Sequence, residues 1–210
     1  MNAVDILLLI GTMYALLMGL VILFRDIKNP VNLAFAILSF LIAFTTYINY
    51  HMNNAESAQE VYALLRVISL RMVIFPVSVH FYLLLTRQKH ILKVFWIYPL
   101  LYLFPAVSIF TTDPEGLFYL HFLGEEVGWN FSLKPTPLGM AMSLFIVLMI
   151  LITMILAVMH VVRSRPGRNR AQAVFVLTGF AIALLIPVLT DILFPANTQN
   201  LPQTGTFTFI

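Results

Sequence analysis

The sequence predicts an all-α membrane fold: a polytopic helix bundle of six complete transmembrane helices and the start of a seventh, with the N-terminus outside. Three observations predict it. Apolar runs of about twenty residues, the length that crosses a hydrocarbon core about 30 Å thick, recur along the chain. Charges fall almost entirely in the short segments between those runs, and these segments are alternately basic and acidic. With 60% of 210 residues apolar and 10% charged, the chain has more apolar surface than one soluble domain of this size requires.

The six runs extend from Ile6 to Phe24, Leu33 to Tyr50, Ala63 to Leu85, Val94 to Phe110, Leu138 to Val162 and Ala173 to Phe194. A further apolar run opens near Thr206 and is cut at Ile210, so the sequence reads as one membrane domain over 1–210 whose last helix is truncated. The segment from Met1 to Phe24 has the length of a secretory signal. It lacks a basic leading region, carries Asp5, and has no small-residue cleavage pattern behind it, so it reads as an uncleaved span.

Orientation follows from the Lys and Arg of the loops. Arg25 and Lys28 follow the first span, Arg87, Lys89 and Lys93 the third, and Arg163, Arg165, Arg168 and Arg170 the fifth. The alternate loops hold one basic residue, Lys134, and most of the acids: Glu56, Glu60, Asp113, Glu115, Glu125 and Glu126. The basic loops are therefore expected on the cytoplasmic side of a cell membrane, where they also touch anionic head groups. The net charge of +3 is a topology signal, and no nucleic-acid partner is expected. Cysteine is absent, which excludes disulfides, thiolate metal sites and a Cys nucleophile.

The outer loop 111–137 differs from the others in mixing acids with Phe118, Tyr119, His121, Phe122, Trp129 and Phe131. Runs from Leu117 to Leu123 and Val127 to Leu133 flank Gly124, Glu125 and Glu126, the pattern of a hairpin. Two readings stand. Trp129, Phe131 and Tyr119 form a lid over the outer mouth of the bundle, or they rest in the interfacial aromatic belt.

Ionisable residues at membrane depth are costly and so are candidates for function. Arg66, Arg71 and His80 lie in the third span, Asp191 in the sixth, and His160 near the inner end of the fifth. Arg66 and Asp191 lie at similar depth near the outer side, and Arg71 about 7 Å deeper at 1.5 Å per residue. Pairing Asp191 with Arg66 or Arg71 would lower the cost of both charges. At 100° per residue, Arg66, Val73 and His80 share one stripe and Arg71, Phe75, Ser78 and Tyr82 another, so both arginines reach one neighbour only if the helix is distorted. Pro76 in the third span and Pro187 in the sixth are the candidate kinks. The alternative is that Arg66 snorkels to the head groups while Arg71 and Asp191 form a structural pair. No zinc-protease helix, nucleophile elbow, phosphate-binding Gly loop or carboxylate pair occurs, so no catalytic residue, metal or cofactor is expected.

Several runs resemble the N-terminal seven-helix membrane region of prokaryotic sensor histidine kinases, also found before diguanylate cyclases. They are Arg71 to Arg87 around Pro76, His80 and Phe81; Arg170 through Gly179 to Asp191 and Pro195; and Leu201, Pro202, Gly205 and Thr206 at the seventh helix. The resemblance implies a sensory input module, not itself an enzyme, which passes an external or membrane-borne signal to a cytoplasmic output domain in cis. It also implies a homodimer formed largely through that output domain. The competing expectations are a transporter or channel of two inverted three-helix halves, with Pro76 and Pro187 in corresponding helices, or a non-catalytic membrane scaffold.

Overall fold

A computed structural model describes residues 3–111, 113–122 and 129–187. The elements in order are α1 (Ala3–Arg25), α2 (Pro30–Asn53), α3 (Ala58–Ile68), a 3₁₀ segment (Ser69–Val73), α4 (Ile74–Leu85), α5 (Lys89–Leu92), α6 (Ile97–Thr111), α7 (Pro114–Leu117), β1 (Phe118–Phe122), β2 (Trp129–Leu133), α8 (Pro137–Arg163) and α9 (Arg168–Pro187). Among the described residues the fold is all-α apart from one two-stranded hairpin.

Among the described residues, four helical stretches are long and apolar enough to cross a membrane: Val4–Arg25, Pro30–Asn53, Ala58–Leu85 and Pro137–Arg163. The expected fourth span is shorter than 94–110 suggested. Its first residues form a turn after α5, and α6 by itself covers only about 22 Å at 1.5 Å per residue. The sixth expected span begins in α9, but its continuation to Phe194 and the start of the seventh helix lie outside the described residues.

Local sequence sets the helix starts. Asn29 caps α2 by accepting the Val31 N–H at 3.0 Å, with Pro30 at the first helical position. Thr136 and Pro137 repeat the device at α8, where Thr136 Oγ1 accepts the Gly139 N–H at 3.1 Å. A side chain at 139 would strike the Lys134 carbonyl, so glycine there lets the chain turn back against the helix.

α1 packs along α2 with Asp5, Leu8, Thr12, Ala15 and Gly19 buried at a three-and-four spacing, while Leu7, Ile10, Met13, Tyr14, Leu17 and Val21 elsewhere on the helix are exposed. A Cβ at Gly19 would lie 2.8 Å from the Phe40 ring and 3.1 Å from Ser39 Cβ. This glycine serves close approach within the chain.

The third stretch is the centre of the bundle. Nine of the twelve residues of α4 are buried, and α4 contacts both α2 and α8. Two apolar clusters stack along it. One joins Ile48, Met52, Val61, Leu65, Met72, Met142 and Ile146 to the hairpin, and the other joins Ala34, Phe81, Leu84, Leu92, Leu101 and Leu156 at the opposite end. Phe75 and Phe145 border both. The hairpin and the α2–α3 connection thus share one end of the bundle, while the α4–α6 connection and the end of α8 share the other.

Candidate functional site

The hairpin is the first component. β1 and β2 pair antiparallel in the register Phe118 with Leu133, Leu120 with Phe131, and Phe122 with Trp129. Because alternate residues of a strand face opposite ways, these side chains make one apolar face, while Tyr119, His121 and Ser132 belong to the other. Phe118 is buried, and Leu120, Trp129, Phe131 and Leu133 pack on the helical cluster formed by α2, α3 and α8. Phe118 meets Phe131 edge-on at 5.4 Å, and Phe122 lies 5.1 Å from Trp129. The Trp129 indole N–H donates to the Ala55 carbonyl at 3.0 Å, between α2 and α3. Tyr119 faces away, half-exposed, with Lys134 Nζ 5.2 Å from its ring centroid. The three aromatic lid candidates therefore divide: Trp129 and Phe131 dock on the helices, and Tyr119 does not. Gly124, Glu125 and Glu126 lie outside the described residues.

The same end is tied to α1. Asp5, only 2% exposed, accepts a hydrogen bond from Asn54 Nδ2 at 3.0 Å, and the same amide donates to the Tyr50 carbonyl at 2.9 Å. Asn54 caps the end of α2, one residue before the carbonyl that holds Trp129. The start of α1, the end of α2 and the hairpin are thus joined through two adjacent residues.

The third stretch is the second component. Its helix is not continuous: five residues, Ser69 to Val73, are wound as 3₁₀ between α3 and α4. Pro76 accounts for the position. It has no N–H for the Met72 carbonyl, and its ring crowds that carbonyl, so the preceding turn tightens. Arg71 lies inside the tightened turn and is half-buried, while Arg66 on α3 is exposed. The change in winding, from about 100° to about 120° per residue, moves the two arginines farther apart around the axis. Farther along the Arg71 stripe, Phe75 is half-buried, and Ser78 and Tyr82 are buried at 1% exposure each. Asp191 lies outside the described residues, as do the surroundings of the Pro187 side chain.

His80 belongs to the opposite end. Its Nδ1 lies 3.1 Å from the Tyr102 hydroxyl on α6, and the Tyr98 ring is 6.0 Å away. The arrangement is a hydrogen-bonded helix contact. Among the described residues no group of three or more His, Cys, Asp or Glu is placed to hold a metal ion.

A family model of the N-terminal 7TM region of histidine kinase matches residues 6–210. The chain belongs to that family. Neither a curated protein nor a solved structure matches it. Membership makes this a membrane-embedded region of the sensory kind, standing N-terminal in histidine kinases, and the apolar helices agree with it.

Within this 7TM region, sequence reasoning missed Asp5, Asn54 and Ala55 as a unit. The available signal was an acid in the first turn of one span and an Asn at the end of the next, which an antiparallel pair brings to the same level. The Trp129 bond to a backbone carbonyl had no signal of its own, because every residue has a carbonyl.

Proposed function

We propose that this 7TM region is the input module of a two-component sensor histidine kinase. Its N-terminus is outside, an external or membrane-borne signal acts at the hairpin end, and a seventh helix carries the response to a cytoplasmic output domain in cis. The observation that carries the reading is the 3₁₀ break, which lies between the docked hairpin and the buried α4 in a chain of this family. A helix interrupted in this way has a nearby alternative, because each residue that changes from 3₁₀ to α winding shortens the rod by about 0.5 Å and turns its far half by about 20°. Two such residues give about 1 Å and 40°, comparable to helix shifts in known switches. A signal that binds one winding better than the other shifts the population toward it.

Arg71 sits in the break and is the proposed charge partner of Asp191, with Arg66 nearer the head groups. The proposed kinks at Pro76 and Pro187 would let the two helices present these charges to one cavity. Homodimerisation is assigned to the output domain.

The test is signalling output and thermal stability of the intact protein carrying Arg71→Ala, Asp191→Ala, or both. Each single change is expected to shift basal output, and the double variant to be no worse than the poorer single one. Three variants indistinguishable from the parent in both measurements rule the pair out.

A further inference from the structure

α4 ends in a way that its sequence does not favour. The Gln88 N–H donates to the Leu83 carbonyl at 2.9 Å and the Arg87 N–H to the Leu84 carbonyl at 3.1 Å, the bond pair of a Schellman motif. The position at its corner is left-handed and is usually glycine, yet Arg87 occupies it with φ of 60°. A topology signal alone does not require this. Such a signal depends on how many Lys and Arg a loop holds and is indifferent to a shift of one residue. Here a long cationic side chain stands at a loop position whose left-handed backbone disfavours any side chain.

The rest of the connection is built around that corner. Leu92 is buried and Ile91 half-buried in the apolar cluster of α2, α4 and α8, which holds the short helix α5 against the bundle. Arg87, His90 and Lys93 are exposed, and Phe95 and Trp96 follow them at 74% and 73% exposure. Exposed aromatics directly after exposed cations suit the boundary between head groups and acyl chains.

From this juxtaposition we infer that residues 87–96 form a binding site for an anionic phospholipid, its phosphate held by Arg87 and Lys93 and its acyl chains against Phe95 and Trp96. Arginine suits the role because its planar fork matches phosphate oxygens two at a time. The site follows from membrane embedding; only its assignment to the cytoplasmic leaflet rests on the proposed orientation.

The full-length protein, and a Trp96→Phe variant that isolates the Trp96 signal by difference, are reconstituted in vesicles with equal mole fractions of tail-brominated phosphatidylglycerol or tail-brominated phosphatidylcholine. Both leaflets have the same composition, so a reversed chain gives the same Trp96 signal and orientation is not what the experiment reads. Trp96 is expected to be quenched severalfold more by the anionic lipid, and Arg87→Gly together with Lys93→Gln should bring the two lipids level. Arg87→Gly also removes the unfavourable backbone position, so lost folding does not explain lost preference. Arg163→Gln with Arg165→Gln, on the other basic connection, is expected to leave the preference unchanged. Equal quenching of the parent by both lipids overturns the site, as does a preference that survives the Arg87 and Lys93 changes or falls equally with the Arg163 and Arg165 changes.

Discussion

Trp129 shows how one side chain can set the position of a whole loop. Its ring packs in the helical cluster while its N–H reaches the Ala55 carbonyl, so packing and a directional bond act on the same side chain. Trp129→Phe keeps most of the apolar area and removes the bond, a loss of about 1 kcal/mol. Limited proteolysis in the 122–129 connection is the readout, and a rate increase of about fivefold corresponds to that energy if cleavage needs the hairpin undocked. An unchanged rate would assign the docking to packing alone. At Arg87 the direction reverses: a left-handed position occupied by a non-glycine residue costs roughly 1–2 kcal/mol, so Arg87→Gly should raise thermal stability in zwitterionic vesicles.

Elements differ in how firmly their neighbours hold them. α1 rests along α2, α8 runs as one unbroken helix, and the third stretch is divided into three. The division has a local cause in Pro76, and that cause can be removed. Pro76→Ala restores an N–H for the Met72 carbonyl and permits α winding through Ser69–Val73. The expected result is a more stable protein whose output no longer responds to its signal, read by thermal unfolding and by kinase activity of the intact protein. A fully responsive Pro76→Ala variant would detach the 3₁₀ segment from signalling. The hairpin illustrates a different dependence. Two strands alone are marginal in water, and here the apolar face made by Phe118, Leu120, Phe131 and Leu133 is covered by helices.

Across the whole molecule, the two apolar clusters separate the connections into two ends, with the hairpin and the α2–α3 connection at one and the α4–α6 and α8–α9 connections at the other. Assigning these ends to the two sides of a membrane is the proposal from loop charge, and the absence of cysteine from this sequence makes it simple to test. A cysteine at Glu56 is expected to react with a membrane-impermeant maleimide on intact cells, and one at Arg165 only after permeabilisation. The opposite pattern would invert the proposed orientation and move the signal-receiving end to the cytoplasm.

The sequence by itself determined the class: apolar runs of membrane length, charges kept between them, a hairpin between Leu117 and Leu133, and the resemblance to the kinase membrane region. Each of these is carried by local composition and period, which survive without knowledge of neighbours. It also marked Pro76 as a distortion, since a missing N–H acts on the chain's own backbone. Only the tertiary structure decided that the distortion is five residues of 3₁₀ winding, that Trp129 and Phe131 face the helices while Tyr119 does not, and that Asp5 meets Asn54. The extent of the 3₁₀ turn is still local to Pro76, but a missing N–H does not say how far the tightening runs; the other two depend on which element lies alongside, and a period read along one segment carries no information about the segment packed against it. The helical stripe holding Arg71, Ser78 and Tyr82 could be drawn from spacing alone. That its Ser78 and Tyr82 are buried was settled by α2 and α8 closing over α4, because burial is a property of the surroundings and not of the helix that is buried.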